Sequence, residues 1–246
     1  MKPDLFEAPD YYQLDELLTE EHKLVRDAAR SWVKRDVSPI IEEYAQKAEF
    51  PKQIIAGLAE IGAFGPYIPA EYGGAGLDQI SYGLIMQELE RGDSGIRSFA
   101  SVQGSLVMYP IYAYGSEEQR KKYLPALASG ELMGCFGLTE PDHGSNPGGM
   151  VTNFKDAGDH FLLNGSKTWI SNADVADAII YYAYTDRDAG SKGMSAFVVE
   201  VKNFNDVRTT ALDKMGSRSS PTGEIYLSDT KVPKENILGK PGDGAR

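Results

Sequence analysis

One stretch of this chain gathers groups that can hold an anion: Cys135-Phe136-Gly137-Leu138-Thr139-Glu140-Pro141-Asp142-His143-Gly144-Ser145. A strand-like apolar run passes here into a turn rich in glycine, hydroxyl and proline. Such a turn can present backbone N–H groups and a hydroxyl to a diphosphate. On the local physics alone, a plain interdomain turn is the stronger reading. His143 reads as an exposed loop histidine rather than a proton shuttle, and Trp169 in its strand-like run reads by itself as core packing. Other chemical signatures are missing: there is no nucleophile elbow, no phosphate-binding P-loop and no dinucleotide GxGxxG. Three histidines and one cysteine, widely scattered, give no zinc-like cluster, so no metal is expected. Cys135 cannot form an internal disulfide and, within Leu132-Met133-Gly134-Cys135-Phe136, reads as a buried inert thiol.

The elements that must position this turn fall into two blocks. Thr19 is a good N-cap followed by Glu20 and Glu21, and Leu24, Val25, Ala28, Ala29, Trp32, Val33 and Val37 recur at helical spacing until Pro39. Pro51 suits the first turn of a helix whose stripe is Ile54, Ile55, Leu58 and Ile61. After the glycine-rich loop at 71–76, helical spacing returns from Asp78 to Arg91 and from Gly95 to Ala113. Ser116 with Gln119 forms a capping box for a last helix ending near Ser129-Gly130. From Glu131 the texture becomes short strand-like runs at 150–155, 161–170, 178–184, 195–201 and 224–227. Helices first and strands after, without βαβ alternation, predict an α+β chain with a helical domain over 1–130 and a β domain over 131–246.

Composition bounds the rest. At 246 residues and 41% apolar the chain can bury a full core, and a formal charge of −11 argues against a nucleic-acid face or adhesion to an anionic membrane. No segment has the long uncharged apolar run of a membrane span. Asp4, Glu7, Asp10, Asp15 and Glu16 crowd the first residues, which fits neither a secretion signal nor a transit peptide, so the expected location is the cytoplasm.

The junction FGLTEPDHGS resembles the signature of the acyl-CoA dehydrogenase family, and Lys167-Thr168-Trp169-Ile170-Ser171-Asn172 resembles its second signature. Lys214-Met215-Gly216-Ser217-Arg218-Ser219-Ser220 and Val232-Pro233-Lys234-Glu235-Asn236-Ile237-Leu238-Gly239 are similar to two later stretches, all in the family's order. Within the family the glutaryl-CoA branch fits best, through Asp93-Ser94-Gly95-Ile96-Arg97-Ser98, Ser101-Val102-Gln103 and the run from Met108 to Arg120.

The resemblance implies an N-terminal helical domain, a middle β-sheet or β-barrel domain, and a C-terminal helical bundle that this sequence lacks. It implies FAD, with Phe136, Gly137, Leu138, Thr139, Gly144, Ser145, Trp169, Ile170 and Ser171 in contact with it. It implies that Arg97, with Ser98 beside it and Glu90 as its partner, faces the distal carboxylate of the substrate, and that Ser145 also approaches the CoA arm. A carboxylate in an apolar acyl pocket needs such a fixed counter-charge. A solvated helix-face glutamate remains a competing reading of Glu90, and Asn146 replaces the aspartate common after Gly-Ser.

The implied reaction is flavin-dependent removal of two hydrogens from Cα and Cβ of glutaryl-CoA, followed by loss of CO2 to give crotonyl-CoA. An electron-transferring flavoprotein is the implied acceptor and a homotetramer the implied full-length assembly. The base belongs to the family's C-terminal domain, so none is assigned and residues 1–246 alone are expected to be inactive. Two rivals stay open: a dehydrogenase of another short or branched acyl-CoA, and a non-catalytic CoA- or flavin-binding two-domain module.

Overall fold

Thr19 caps the first helix as its spacing predicts, but the residue that completes the capping box is a histidine. His22 N–H donates to Thr19 Oγ1 (3.2 Å), and Thr19 N–H donates to His22 Nδ1 (3.3 Å). His22 Nε2 also lies 2.8 Å from Asp78 Oδ2, and Asp78 is itself the N-cap of a later helix, bonded by Ser81 N–H at 2.8 Å. Two helix starts are thereby tied together. A computed structural model describes residues 6–203 and 206–245. Asp4 of the acidic leader and the terminal Arg246 lie outside the described residues.

The helices are α1 (Glu20–Trp32), α2 (Ile41–Lys47), α3 (Ile55–Glu60), α4 (Gln79–Gly92), α5 (Ser94–Ser101), α6 (Tyr109–Tyr114) and α7 (Glu117–Ala128). The helix expected over 95–113 is present but its middle, Val102–Met108, is π-helical. Buried Gln103 sits there because its side chain is committed elsewhere: Nε2 donates to Leu127 O (2.9 Å) and Leu132 O (2.8 Å), and Oε1 accepts from Gly134 N–H (2.7 Å). Such bulges often accompany functional sites. The Ser116–Gln119 capping box opens α7 as the sequence indicates.

The strands are β1 (Gly134–Gly137), β2 (Asn153–Asp156), β3 (His160–Ser171), β4 (Ala178–Tyr184), β5 (Met194–Glu200), β6 (Arg208–Ala211), β7 (Thr222–Pro233) and β8 (Ile237–Leu238). They form one sheet in the order β6-β7-β3-β2-β4-β5-β8, with β1 alongside β4 and parallel to it. The strand expected from Met150 begins only at Asn153, because the amides of Val151 and Thr152 bind a buried carboxylate instead of a ladder. The strand expected over 224–227 extends much further, since β7 pairs along all of β3. Short β6 and β8 carried no readable pattern.

β4 explains how helices and sheet join. Ala178 and Ile180 face the helices and share their core with Ala196, Val198 and Leu238, while Ile179, Tyr181 and Ala183 face a second core with Cys135, Phe161, Phe197 and Val232. A strand buried on both faces reads as an unbroken apolar run, as Ala178-Ile179-Ile180-Tyr181-Tyr182 does. Among the described residues no helix is long and apolar enough to cross a membrane.

Candidate functional site

The turn after β1 is stitched to β3 by a buried ion pair. Lys167 Nζ donates to Glu140 Oε1 at 2.9 Å and to Leu138 O at 3.2 Å. Glu140 also accepts from Val151 N–H (2.7 Å) and Thr152 N–H (3.1 Å), closing the 140–152 loop upon itself. Burial pushes the Glu140 carboxyl up, but bonds from Lys167, Thr152 and Val151 outweigh it and hold it below the ordinary range. Burial pulls Lys167 down, against the attraction of Glu140, to about 8, so both groups are charged at neutral pH. Thr168 N–H donates to Thr139 O at 3.0 Å. The two sequence signatures are therefore one structural unit. The Glu140–Lys167 pair that joins them was overlooked in the sequence, although both residues lie in the signatures.

Within this unit Trp169 stands out. Its backbone is left-handed (φ 58°), and the residue is 62% exposed. A register shift opposite β7 between Lys167 and Ile170 turns it outward, while Ile170 itself stays in the sheet core. An exposed indole on a strained backbone is costly to keep and points to a ligand or partner face. Ile170 can contribute only its backbone there. Ser171 is half-buried beside Asn172, whose Nδ2 donates to Phe99 O (3.3 Å) and Gly134 O (3.2 Å).

Phe136 and Leu138 open elsewhere. Phe136 packs on Tyr182 with ring centroids 5.1 Å apart. Both line a mostly apolar cavity of about 600 Å³ with Pro147, Tyr182, Tyr184 and Met194. Trp169, Ile170, Ser171, Thr139, Gly144 and Ser145 are not among its walls. Gly137 is buried, and a Cβ there would meet Tyr181 Cδ2 at 3.1 Å, so its smallness serves packing. Gly144 faces open space and Ser145 is exposed, leaving that turn accessible.

The third piece is an ion pair at the start of α5. Arg97 Nε donates to Glu90 Oε2 at 2.6 Å, and Ser94 Oγ donates to Glu90 Oε1 at 2.5 Å. The bond from Arg97, then that from Ser94, holds the Glu90 carboxyl below its ordinary range. Glu90 is thus exposed on its helix face and at the same time ion-paired to Arg97. The Arg97 side chain is 37% exposed, and its terminal nitrogens have no protein acceptor among the described residues. Both Nη groups remain available for a carboxylate. Ser98 follows, half-buried. Asn172 links this helix to the Trp169 segment by its bond to Phe99 O.

Comparisons with known proteins bear on the family and the fold. The family profile "Acyl-CoA dehydrogenase, N-terminal domain" matches residues 19–131, and "Acyl-CoA dehydrogenase, middle domain" matches residues 135–230. The chain is 48% identical over 236 residues to the glutaryl-CoA dehydrogenase of Desulfococcus multivorans, covering 95% of this chain and 61% of that protein. It is 40% identical to the 3-(aryl)acrylate reductase of Clostridium sporogenes, covering 92% of this chain and 60% of the relative. Among solved structures, a glutaryl-coenzyme A dehydrogenase in complex with glutaryl-CoA superposes with a TM-score of 0.90 at 48% identity, over 93% of this chain and 59% of that one. Butyryl-CoA dehydrogenase from Megasphaera elsdenii superposes with a TM-score of 0.88 at 35% identity, over 93% and 61% of the two chains. The chain thus spans about three fifths of the length of these relatives.

Proposed function

Because this chain belongs to the acyl-CoA dehydrogenase family, whose members depend on FAD, we propose that the full-length protein oxidises glutaryl-CoA at Cα–Cβ, with crotonyl-CoA and CO2 as end products. The single observation that carries the choice of substrate is Arg97, fixed through Nε by Glu90 with both Nη groups open to a carboxylate. An uncharged acyl chain would give that guanidinium nothing to bind. The relative and the solved structure that share 48% identity are both glutaryl-CoA dehydrogenases, which supports the reading. The matched short-chain and arylacrylate enzymes keep the rival acyl-CoA substrates in view.

The residues present fit a flavin. An outward indole on a strained strand offers a flat apolar surface to an aromatic ring, and the open turn at Gly144-Ser145 offers amides and a hydroxyl to phosphate. Phe136, Leu138, Thr139, Gly144, Ser145, Trp169, Ile170 and Ser171 are the residues we assign to holding FAD, with Gly137 acting as a packing position beneath them. When bound, FAD supplies the acceptor for the β-hydrogen as hydride. The chain's own contribution is orientation and exclusion of water. Trp169 covers, the Lys167–Glu140 pair fixes the wall, and Arg97 with Ser98 and Glu90 holds the far end of the acyl chain. Glu140 and Glu224 border this wall and both are engaged: Glu140 by Lys167, and Glu224 by Tyr226 (2.6 Å) and Thr210 (3.2 Å). Neither is assigned the α-proton. In the same reading an electron-transferring flavoprotein reoxidises the enzyme, which assembles as a homotetramer.

The test compares two thioesters. Removing one partner of a desolvated charge pair costs about 2–5 kcal/mol. In the full-length enzyme Arg97→Met is expected to lower kcat/KM for glutaryl-CoA by roughly one to three powers of ten. Butyryl-CoA, which has no distal carboxylate, should lose far less. Equal losses on both would reduce the reading to a generic acyl-CoA dehydrogenase.

A further inference from the structure

Asp93 stands at a corner: it ends α4 and caps α5. Its Oδ1 accepts from the amides of Gly95 (2.8 Å) and Ile96 (3.1 Å). The same oxygen accepts a hydrogen bond from Ser219 Oγ, which arrives from the loop between β6 and β7. Ser219 is fully buried, and its loop is itself anchored. Lys214 Nζ donates to Ser217 O (2.9 Å), Ser220 O (3.0 Å) and Thr222 Oγ1 (2.7 Å), and Arg218 Nε donates to Ala45 O (3.1 Å). The approach is close enough to require glycine, since a Cβ at Gly95 would come within 2.6 Å of Ser220 N.

The corner matters because the carboxylate reader straddles it. Glu90 lies on the last turn of α4 and Arg97 on α5, so the angle between the helices decides whether Arg97 Nε meets Glu90. We propose that Ser219 is a positioning residue for substrate choice: through Asp93 it fixes the α4–α5 corner and so holds Arg97 in the orientation that receives a distal carboxylate. The loop on the sheet thereby sets specificity on the helices. The inference rests on the role given to Arg97 above.

The experiment uses the full-length holoenzyme with Ser219→Ala, and Gly95→Ala as a second variant that forces the corner open from the other side. Losing a hydrogen bond to a charged acceptor should lower the ratio of kcat/KM for glutaryl-CoA over butyryl-CoA by about tenfold. In the same variants the amides of Gly95 and Ile96 should exchange faster, and the Glu90 carboxyl should titrate higher than in the parent. A parent-like ratio with parent-like exchange in both variants overturns the proposal while leaving the Arg97 reading intact. Faster exchange together with equal losses from Arg97→Met on both thioesters overturns it from the other side: the corner is then held by Ser219, but substrate choice is not made there.

Discussion

Glu90 gives up its ordinary titration because Arg97 and, second, Ser94 hydrogen-bond its charged form. A carboxyl whose folded-state pKa is depressed contributes stability that is fully present above its unfolded value, about 4.3 for glutamate, and lost as pH falls through the folded value. Arg97→Met removes the first of the two causes. The Glu90 signal, followed by carbon NMR of the side-chain carboxyl, should then titrate closer to the ordinary range. The parent's stability advantage over the variant should exist at neutral pH and fade on acidification below the ordinary glutamate range. A Glu90 titration untouched by the substitution would show that the ion pair is not formed in solution. Sequence alone carried the identity of this pair only through resemblance. Seven positions along a chain that breaks between two helices is no helical spacing, and nothing in the pattern says that the break folds the two side chains together.

At the level of elements, the wall built from the β1 turn and β3 was legible in part. Its residues stood out only through the resemblance to two family signatures, since the local pattern alone favoured a plain turn and a core-packed Trp169, which is in fact 62% exposed. Its construction was not legible, because an ion pair between Glu140 and Lys167 has a sequence separation that no local rule reaches. The bulge at Trp169 was hidden for a related reason: a register shift depends on the partner strand, and the β-rich run from Phe161 to Ile170 gives no sign of it. Two predictions belong here. At φ 58° any Cβ is strained, so in the apo protein Trp169→Gly should be more stable than Trp169→Ala by about 1 kcal/mol, although both lose the flavin-covering ring. Denaturant unfolding of the two variants measures it, and an alanine variant as stable as the glycine one would contradict the backbone assignment. Lys167→Met leaves Glu140 buried against two amides without its cation, which should cost about 3–5 kcal/mol. Adding Glu140→Gln should recover part of that loss. A double variant as unstable as the sum of the two singles would mean that the pair does not act as a unit.

At the scale of the whole molecule, the helices share a core with one face of the sheet, and β4 joins that core to the second one on its other face. Ile180 is fully buried among helical side chains, while its neighbours Ile179 and Tyr181 serve the core on the other face. The alternation was invisible in the sequence, since both faces are apolar; the two blocks of texture gave two successive domains and no sign of the core between them. Because that core is shared, opening one half exposes the other, and unfolding is expected to be cooperative across the boundary. Ile180→Ala removes buried methyl groups from the helix-facing side only. It should cost about 2–5 kcal/mol, depending on how far the site collapses. Native-state hydrogen exchange decides where that cost falls. The slowest amides of α4 and α5 and those of β4 and β5 should lose the same protection free energy, because a single transition exposes both. Loss confined to the sheet, with the α4 and α5 amides still protected as in the parent, would mean that the helices stand alone. The corner at Asp93 would then be held from a layer that can open without them, and Ser219 could not set the orientation of Arg97.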